Sequence, residues 1–298
     1  MEVLIAGQAG VALATGHAAQ GHPFAGRQGV IGRVDTLLEP GDRLRRAGHP
    51  PFHVTARHHF SKQGDVAVTQ GAGLAVLPEI AVAKVREDAP FEKICYIGCG
   101  VTTGIGAVAF TMKVEPGATV AVFGLGGIGL NVIQGAKLVG ARRIIGVDLN
   151  PGKVPLATQF GMTDFVNPSE VDNVVDHLIQ MTDGGVDYSF EAIGLPATAA
   201  QAFKMLRMGG MATVTGMLPV GSKLELDGAD LLWERKIQGC MMGSNRFRID
   251  MPRFVEFYLN GKLHLDDMIS RHIKLADVND AFEAMKTGEE ARQVIMFD

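Results

Sequence analysis

The chain has 298 residues, a formal net charge of −4 and a pI near 6.1, and this mild acidity argues against an ordinary electrostatic binder of nucleic acid. Hydrophobic residues make up 47% and charged residues 20%, which suits one large domain or two and argues against disorder. All apolar runs are shorter than the roughly 18 residues of a membrane-spanning helix, and the first residues lack the regions of a signal peptide.

Cysteine is scarce in this sequence. Cys95, Cys99 and Cys240 are the three cysteines of the chain. Three are too few for a disulfide framework or for a four-thiolate zinc site, and so sparse a set is typical of the reducing cytoplasm. We therefore expect a cytoplasmic protein without a structural zinc of that kind.

The first 75 residues have weak hydrophobic periodicity, for which we predict short strands and loops. Histidine is concentrated there, at His17, His22, His49, His53, His58 and His59.

From residue 76 onward, apolar strands alternate with amphipathic helices. We predict strands over Thr119–Phe123, Arg143–Val147, Asp164–Val166, Val186–Phe190, Met211–Thr215, Lys236–Met241 and Gln293–Phe297. We predict helices over Thr102–Thr111, Gly127–Val139, Gly152–Phe160, Thr198–Leu206, Pro252–Asn260 and Leu275–Lys286. A further helix, capped by Ser169, is predicted to run to Met181. This alternation indicates βαβ units and a parallel sheet. A set of methionines is assigned to the core: Met205, Met208, Met211, Met217, Met241 and Met242.

The strongest motif is Gly124-Leu-Gly126-Gly-Ile-Gly129, which follows a predicted strand and opens a predicted helix. Gly124 permits the turn, Gly126 lets backbone approach a pyrophosphate, and Gly129 allows close packing of helix on strand. Asp148 ends the next strand, where a carboxylate accepts hydrogen bonds from ribose hydroxyls and repels a 2′-phosphate. The pattern predicts binding of NAD rather than NADP; a purely structural glycine turn is the alternative.

Several further segments carry a family resemblance. They are Gly98-Cys99-Gly-Val-Thr-Thr103-Gly-Ile-Gly106, Val122-Phe-Gly-Leu-Gly-Gly-Ile-Gly129, Gly146-Val-Asp148, Phe190-Glu-Ala-Ile-Gly194 and Ala291-Arg292. From about Val76 to the C-terminus, the chain resembles the zinc-containing medium-chain alcohol dehydrogenases, in the class III-like and bacterial zinc-dependent branch. The resemblance implies an α/β fold with a doubly wound parallel-sheet (Rossmann) cofactor domain over residues 101–243. It also implies a partial GroES-like, mainly-β catalytic domain built from residues 1–100 and 244–298.

The resemblance also implies roles for individual residues. Gly124, Gly126, Gly127, Ile128 and Gly129 would form the cofactor loop together with Asp148, Lys153, Ile193, Gly194, Met217 and Arg292. Lys153 would reach the adenosine ribose, Met217 would lie on the nicotinamide side, and Arg292 would contact the pyrophosphate. Plain solvated charges remain the alternative for Lys153 and Arg292.

The zinc site is where the sequence departs from the family. Cys99 is implied as a catalytic zinc thiolate, with Thr103 beside the nicotinamide, and His22 as the zinc imidazole. An inert buried thiol is the alternative for Cys99, and a surface-loop histidine for His22. Because no cysteine precedes Cys95, the first family thiolate is missing. A catalytic zinc needs three protein ligands, so we expect an incomplete catalytic site and no structural zinc.

The implied activity is NAD-dependent oxidation of a primary alcohol, or of a hydroxymethyl-thiol adduct, to the aldehyde level by hydride transfer. A second hypothesis is a truncated homologue that binds NAD but is catalytically impaired. A zinc-independent reductase of the quinone-reductase branch is disfavoured, because Gly98-Cys99-Gly belongs to the zinc branch. The expected partners are a small alcohol or aldehyde and further copies of the chain, in a dimer or tetramer formed through the edge strand near Ile237 to Met241. Trp233 is expected to pack at a subunit or domain edge, and no nucleic acid or membrane is expected.

Overall fold

The computed structural model describes residues 3–6, 61–62, 66–69, 82–287 and 292–296. The strands are β1 (Val3–Ala6), β2 (Ser61–Lys62), β3 (Val66–Thr69), β4 (Val82–Val85), β5 (Thr119–Phe123), β6 (Arg143–Val147), β7 (Asp164–Val166), β8 (Val186–Glu191), β9 (Leu206–Val214), β10 (Lys236–Gly239), β11 (Ile269–Ile273) and β12 (Arg292–Met296). The α-helices are α1 (Phe91–Ile94), α2 (Gly100–Gly106), α3 (Gly127–Leu138), α4 (Val154–Phe160), α5 (Val174–Met181), α6 (Pro196–Lys204), α7 (Gly228–Leu232), α8 (Phe247–Leu259) and α9 (Val278–Thr287).

Shorter helical turns complete the described chain. Helix α2 continues as a π-helix over Ala107–Met112, and 3-10 turns cover Cys95–Gly98, Pro151–Lys153, Pro168–Glu170, Met242–Ser244, Asp266–Met268 and Leu275–Asp277. Within the described residues, no single helix has the length and apolarity needed to cross a membrane; the bent pair Phe91–Gly98 and Gly100–Met112 meets that test only when taken together.

The largest sheet has six strands in the order β10-β9-β8-β5-β6-β7, and every neighbouring pair is parallel. The strand order reverses between β5 and β8, where Val122 lies opposite Gly146 on one side and Phe190 on the other. This is the doubly wound arrangement predicted from the sequence, and the prediction is confirmed. Because the connections after β5 and β8 leave toward opposite sides, a crevice forms at the carboxyl ends of these two strands.

Apolar side chains cover both faces of this sheet. Along β5, Val120 and Val122 point to one face, where they pack with Leu130 of α3 in a buried cluster. Ala121 and Phe123 point to the other face and pack in a second cluster with the helices α5 and α6. Because successive side chains of a strand alternate, a continuous apolar run is what a strand buried on both faces requires.

A second, four-stranded sheet joins distant parts of the chain. Its order is β11-β12-β3-β2, in which β12 lies parallel to both β11 and β3. Gln134 of α3 connects the large sheet layer to the segment after α8, because its Oε1 accepts the N–H of His264 at 2.7 Å and its Nε2 donates to the carbonyl of His264 at 3.2 Å. These contacts attach the segment before β11 to the helix that follows β5, and β12, which begins with Arg292, pairs with β11.

The structure corrects the predicted start of one helix. Ser169 does not cap it, since its N–H and hydroxyl both donate to the side-chain oxygen of Asn167, at 3.1 and 2.8 Å, within a separate 3-10 turn. Helix α5 instead begins at Val174, and Asn173 caps it by accepting the N–H groups of Val175 and Asp176. Asparagine is as good an N-cap as serine, so the tertiary position of each residue decides between them.

Two further predictions are wrong in part. Helix α8 begins at Phe247, five residues before the predicted start at Pro252, which lies inside the helix. Three methionines assigned to the core are exposed: Met208 by 60%, Met217 by 65% and Met241 by 77%. Met217 and Met241 follow strands β9 and β10 at the carboxyl edge of the sheet, where the helical layers no longer cover it.

Candidate functional site

The glycine loop occupies the crevice between β5 and β8. Gly124 has φ +90°, a conformation that favours glycine, and its N–H donates to the carbonyl of Val147 at 2.8 Å. Any Cβ at Gly129 would collide with the carbonyl oxygen of Gly124. Gly126 is different: it is exposed, and no described atom lies within 4 Å of the place of its Cβ. The first and third glycines thus close the loop, while the second leaves its backbone open to a ligand.

Helix α3 begins within this loop, with Gly126 as its N-cap residue and no side-chain cap among the described residues. Its first residues are Gly127, which is buried, and Ile128, which is half-buried. Backbone N–H groups at a helix start, together with the positive end of the helix dipole, favour an anion. The loop therefore has the geometry and polarity that a phosphate requires.

Arg292 brings a buried positive charge to the same place. Its side chain is only 4% exposed, and its guanidinium occupies the space that a Cβ of Gly127 or of Gly100 would fill. Burial lowers the pKa of Arg292 to about 10, so the group stays protonated near neutral pH. A buried cation beside a helix N-terminus is suited to a diphosphate, and the structure thereby excludes the solvated-charge interpretation of this residue.

Asp148 lies at the end of β6 and is 9% exposed. Its Oδ2 accepts the N–H of Leu125 in the glycine loop at 2.7 Å, and its Oδ1 accepts the N–H of Asn150 at 2.8 Å. Lys153 donates to both oxygens, at 2.9 and 3.1 Å. The carboxylate therefore stabilises the glycine loop and the following turn, and it forms an ion pair with Lys153.

The remaining predicted cofactor residues come from the loops after β8 and β9. Ile193 is 47% exposed, and a Cβ at Gly124 would lie 2.7 Å from its Cγ1. Gly194 has φ +94°, and its Cβ would lie 2.7 Å from the carbonyl oxygen of Met217. Both loops therefore border the crevice and touch one another.

Cys99 and Thr103 approach from α2. Cys99 is half-buried and precedes Gly100, the residue packed against Arg292. Thr103 is 5% exposed, its N–H donates to the carbonyl of Cys99 at 2.8 Å, and its hydroxyl lies 3.8 Å from Sδ of Met242. The start of α2 thus adjoins the glycine loop through Arg292.

The predicted zinc ligands are not brought together in the described part of the chain. His22 lies outside the described residues, and within them no group of three His, Cys, Asp or Glu side chains could hold a metal ion. Cys99 alone does not meet the three-ligand requirement of a catalytic zinc. The described residues accordingly fit a dinucleotide but do not by themselves form a zinc site.

Glu191 was not identified as a functional residue from the sequence. It ends β8, is completely buried, and accepts hydrogen bonds from the residues that follow it. An acidic residue at the end of an apolar strand is the signal that identified Asp148, and the same signal could have found Glu191.

A family model described as zinc-binding dehydrogenase matches residues 127–260. The chain is 46% identical to an S-(hydroxymethyl)glutathione dehydrogenase of Paracoccus denitrificans over 84% of its own length and 66% of that protein. It is 38% identical to an alcohol dehydrogenase class-3 of Oryza sativa subsp. japonica over 92% of its own length and 71% of that protein. The chain thus spans less than two thirds of the Paracoccus protein.

Solved structures are similar over the same part. The crystal structure of benzyl alcohol dehydrogenase from Acinetobacter calcoaceticus matches with a TM-score of 0.72 and 30% identity, over 75% of this chain and 62% of that one. A zinc-binding domain protein of the alcohol dehydrogenases from Burkholderia ambifaria also matches with a TM-score of 0.72, at 33% identity over 76% and 61% of the two chains.

Proposed function

The chain belongs to the zinc-containing alcohol dehydrogenases of the class-3 group, and from this we propose that it is an NAD-dependent dehydrogenase. The proposed reaction is oxidation of a primary alcohol, or of a hydroxymethyl-thiol adduct, to the aldehyde level. One observation carries the cofactor assignment: the glycine loop, Asp148 and the buried guanidinium of Arg292 meet at the carboxyl ends of β5 and β8.

Each of these groups has a separate task in holding NAD. The N–H groups at the start of α3 and the charge of Arg292 bind the pyrophosphate. Asp148 accepts hydrogen bonds from the adenosine ribose, with Lys153 beside it, and its charge disfavours a 2′-phosphate. Ile193 and Gly194 line the adenosine side of the cofactor, and Met217 lines the nicotinamide side.

The reaction transfers a hydride from the carbinol carbon, while the hydroxyl proton passes to solvent. When bound, NAD supplies the nicotinamide carbon that accepts this hydride. Thr103, whose side chain is 5% exposed, would lie beside the nicotinamide. We assign no step to zinc, because Cys99 is the one predicted ligand among the described residues.

Cofactor binding and turnover are tested separately. NADH should bind with enhanced fluorescence, and NADH should form when NAD is supplied with formaldehyde and glutathione together. Formaldehyde alone and simple primary alcohols are the comparison substrates. Failure to bind NADH would refute the cofactor assignment. Binding of NADH without turnover of any of these substrates would favour the second hypothesis, a catalytically impaired homologue, for which the comparisons give no support. Metal analysis should give less than one zinc per chain, and two tightly bound zinc ions would contradict the expected incomplete site.

We also propose a homodimer or tetramer formed through β10, an edge strand of the six-stranded sheet. Large apolar side chains are exposed beside this edge: Leu232 by 85%, Trp233 by 52% and Met241 by 77%. Burial of such a patch against a second copy is favourable. Light scattering should report an oligomer that Leu232→Glu weakens; a monomeric wild-type protein would contradict the proposal.

The proposed location is the cytoplasm, and the proposed domain division is residues 1–100, 101–243 and 244–298. The location is supported by the cysteines, since none of the three forms a disulfide in the structure. The domain division is supported by the pairing of β12 with β3, which joins the first and third parts in one sheet.

A further inference from the structure

Glu191 accepts hydrogen bonds from two separate loops. Its main-chain carbonyl accepts the N–H groups of Thr215 and Gly216, at 2.8 and 2.9 Å, and the hydroxyl of Thr215 at 2.6 Å. Its side-chain Oε1 accepts the N–H groups of Ile193 and Gly194, at 2.9 and 2.7 Å. One residue thus binds both the loop after β8 and the loop after β9.

Oε1 accepts from two more donors, one in the loop after β8 and one in helix α6. The N–H of Leu195 lies 3.4 Å from Oε1, and the hydroxyl of Thr198 lies 2.9 Å from it. Successive N–H groups that converge on one point form an anion-binding concavity. In this protein the buried carboxylate of Glu191 occupies that concavity.

The second carboxylate oxygen, Oε2, lies where the loop after β8 and the loop after β9 approach each other closely. Oε2 of Glu191 is buried and has no hydrogen-bond partner among the described residues. A Cβ at Gly216 would lie 2.5 Å from Oε2 and would collide with the backbone N of Gly194. A buried unsatisfied oxygen is unfavourable and calls for an explanation beyond stability.

We propose that Glu191 is a positioning residue for the dinucleotide. Its carboxylate holds Ile193 and Gly194 in the places from which they contact the cofactor, and Gly194 in turn packs against Met217, although Glu191 itself does not touch the cofactor. This inference rests on the proposed NAD-dependent function. The positioning is set by geometry, since Gly194 and Gly216 leave room for the two loops to meet over the carboxylate.

The test removes the carboxylate and then returns it. In Glu191→Ala, we expect NADH to bind at least tenfold more weakly when measured well below the thermal midpoint. Formate in the buffer should restore most of the affinity, because it can occupy the emptied concavity and accept the same N–H groups. Glu191→Gln keeps one acceptor oxygen and should bind NADH within about threefold of wild type.

Asp187 provides a matched control, since it lies near the amino end of β8, whereas Glu191 lies at the carboxyl end of the same strand. Its carboxylate accepts the N–H of Thr119 at 2.7 Å and pairs with Arg207. Asp187→Asn should leave NADH affinity within twofold of wild type. If Asp187→Asn weakens binding as much as Glu191→Ala, or if neither formate nor Glu191→Gln restores it, the role is structural and the proposal is wrong.

A second pair of variants applies if Glu191→Ala does not fold. Gly216→Ala leaves the carboxylate in place but inserts a methyl group between Oε2 and Gly194, and we expect it to weaken NADH binding at least tenfold. Gly228→Ala is the control, because no described atom lies within 4 Å of its Cβ. Equal NADH affinity in wild type, Gly216→Ala and Gly228→Ala would overturn the role of Glu191 alone, whereas a wild-type protein that does not bind NADH would overturn the proposed function as well.

Discussion

Replacement of Asp148 should reveal two roles of its carboxylate, which are stabilisation of the glycine loop and binding of the adenosine ribose. In Asp148→Ala, the buried N–H of Leu125 loses its acceptor at 2.7 Å. An unsatisfied buried donor costs about 1–3 kcal/mol, which for a folded unit of this size lowers the thermal midpoint by about 3–10 °C. Loss of a charged acceptor to the ribose hydroxyls costs a further 1.5–3 kcal/mol, roughly 10- to 150-fold in the Kd for NADH.

Asp148→Asn distinguishes charge from hydrogen bonding. The amide keeps one acceptor oxygen for Leu125 or Asn150 but removes the negative charge beside the adenosine ribose. Two unit charges about 4 Å apart interact by roughly 4 kcal/mol near a protein surface, so removal of this repulsion should raise the ratio of NADPH to NADH affinity at least about tenfold.

The assay is fluorescence titration with NADH and with NADPH, performed well below the thermal midpoint of each variant. Asp187→Asn is the control, because the carboxylate of Asp187 also accepts a main-chain N–H, that of Thr119, but lies at the other end of β5 from the glycine loop. Unchanged NADH affinity in Asp148→Ala, or an unchanged NADPH to NADH ratio in Asp148→Asn, would refute the ribose assignment.

Three further predictions concern other parts of the structure. Arg292→Gln should weaken NADH binding by about 10- to 150-fold because a charged contact to the pyrophosphate is lost; calorimetry that finds equal affinity would exclude that contact. Arg143 donates to Asp164 and lowers the pKa of that carboxyl, so the pair stabilises the fold above the ordinary carboxyl value of 3.8 and loses this effect as the pH falls below it. The denaturation midpoint of Asp164→Asn should therefore lie below that of wild type near neutral pH and converge with it in acid, and parallel curves would contradict this. Burial raises the pKa of the Cys95 thiol well above its usual range, so mass spectrometry should find Cys95 alkylated after unfolding but not in the native protein.

The dinucleotide unit was predictable because its signals are local. Strands β5, β6 and β7 have the predicted bounds, since each is a short run that ends in apolar residues and is followed by Gly124, Asp148 or Asn167, respectively. The glycine spacing and Asp148 identified the crevice because a helix N-terminus next to a strand end needs small residues at fixed positions.

Other features depend on contacts that the sequence does not display. Strand β9 begins at Leu206, before the predicted Met211, because Gly209 adopts φ +75° and the pairing with β8 shifts register instead of ending. A pair of glycines normally predicts that a strand ends, but here the pairing with β8 keeps β9 continuous. The end of an apolar strand could mark Glu191, but the sequence does not display the bonds of its main-chain carbonyl to Thr215 and Gly216, which become neighbours only when β9 pairs with β8.

The position of Arg292 has a consequence for the order in which the binding site is completed. The glycine loop is made from residues close in sequence, whereas its buried cation begins β12, which the chain reaches only after all six strands of the large sheet. Such a contact has a high sequence separation, so its loop-closure entropy is incurred late in folding. A dinucleotide that binds only the completed site stabilises the native state in proportion to the logarithm of its concentration, and so favours the chains in which β12 has docked.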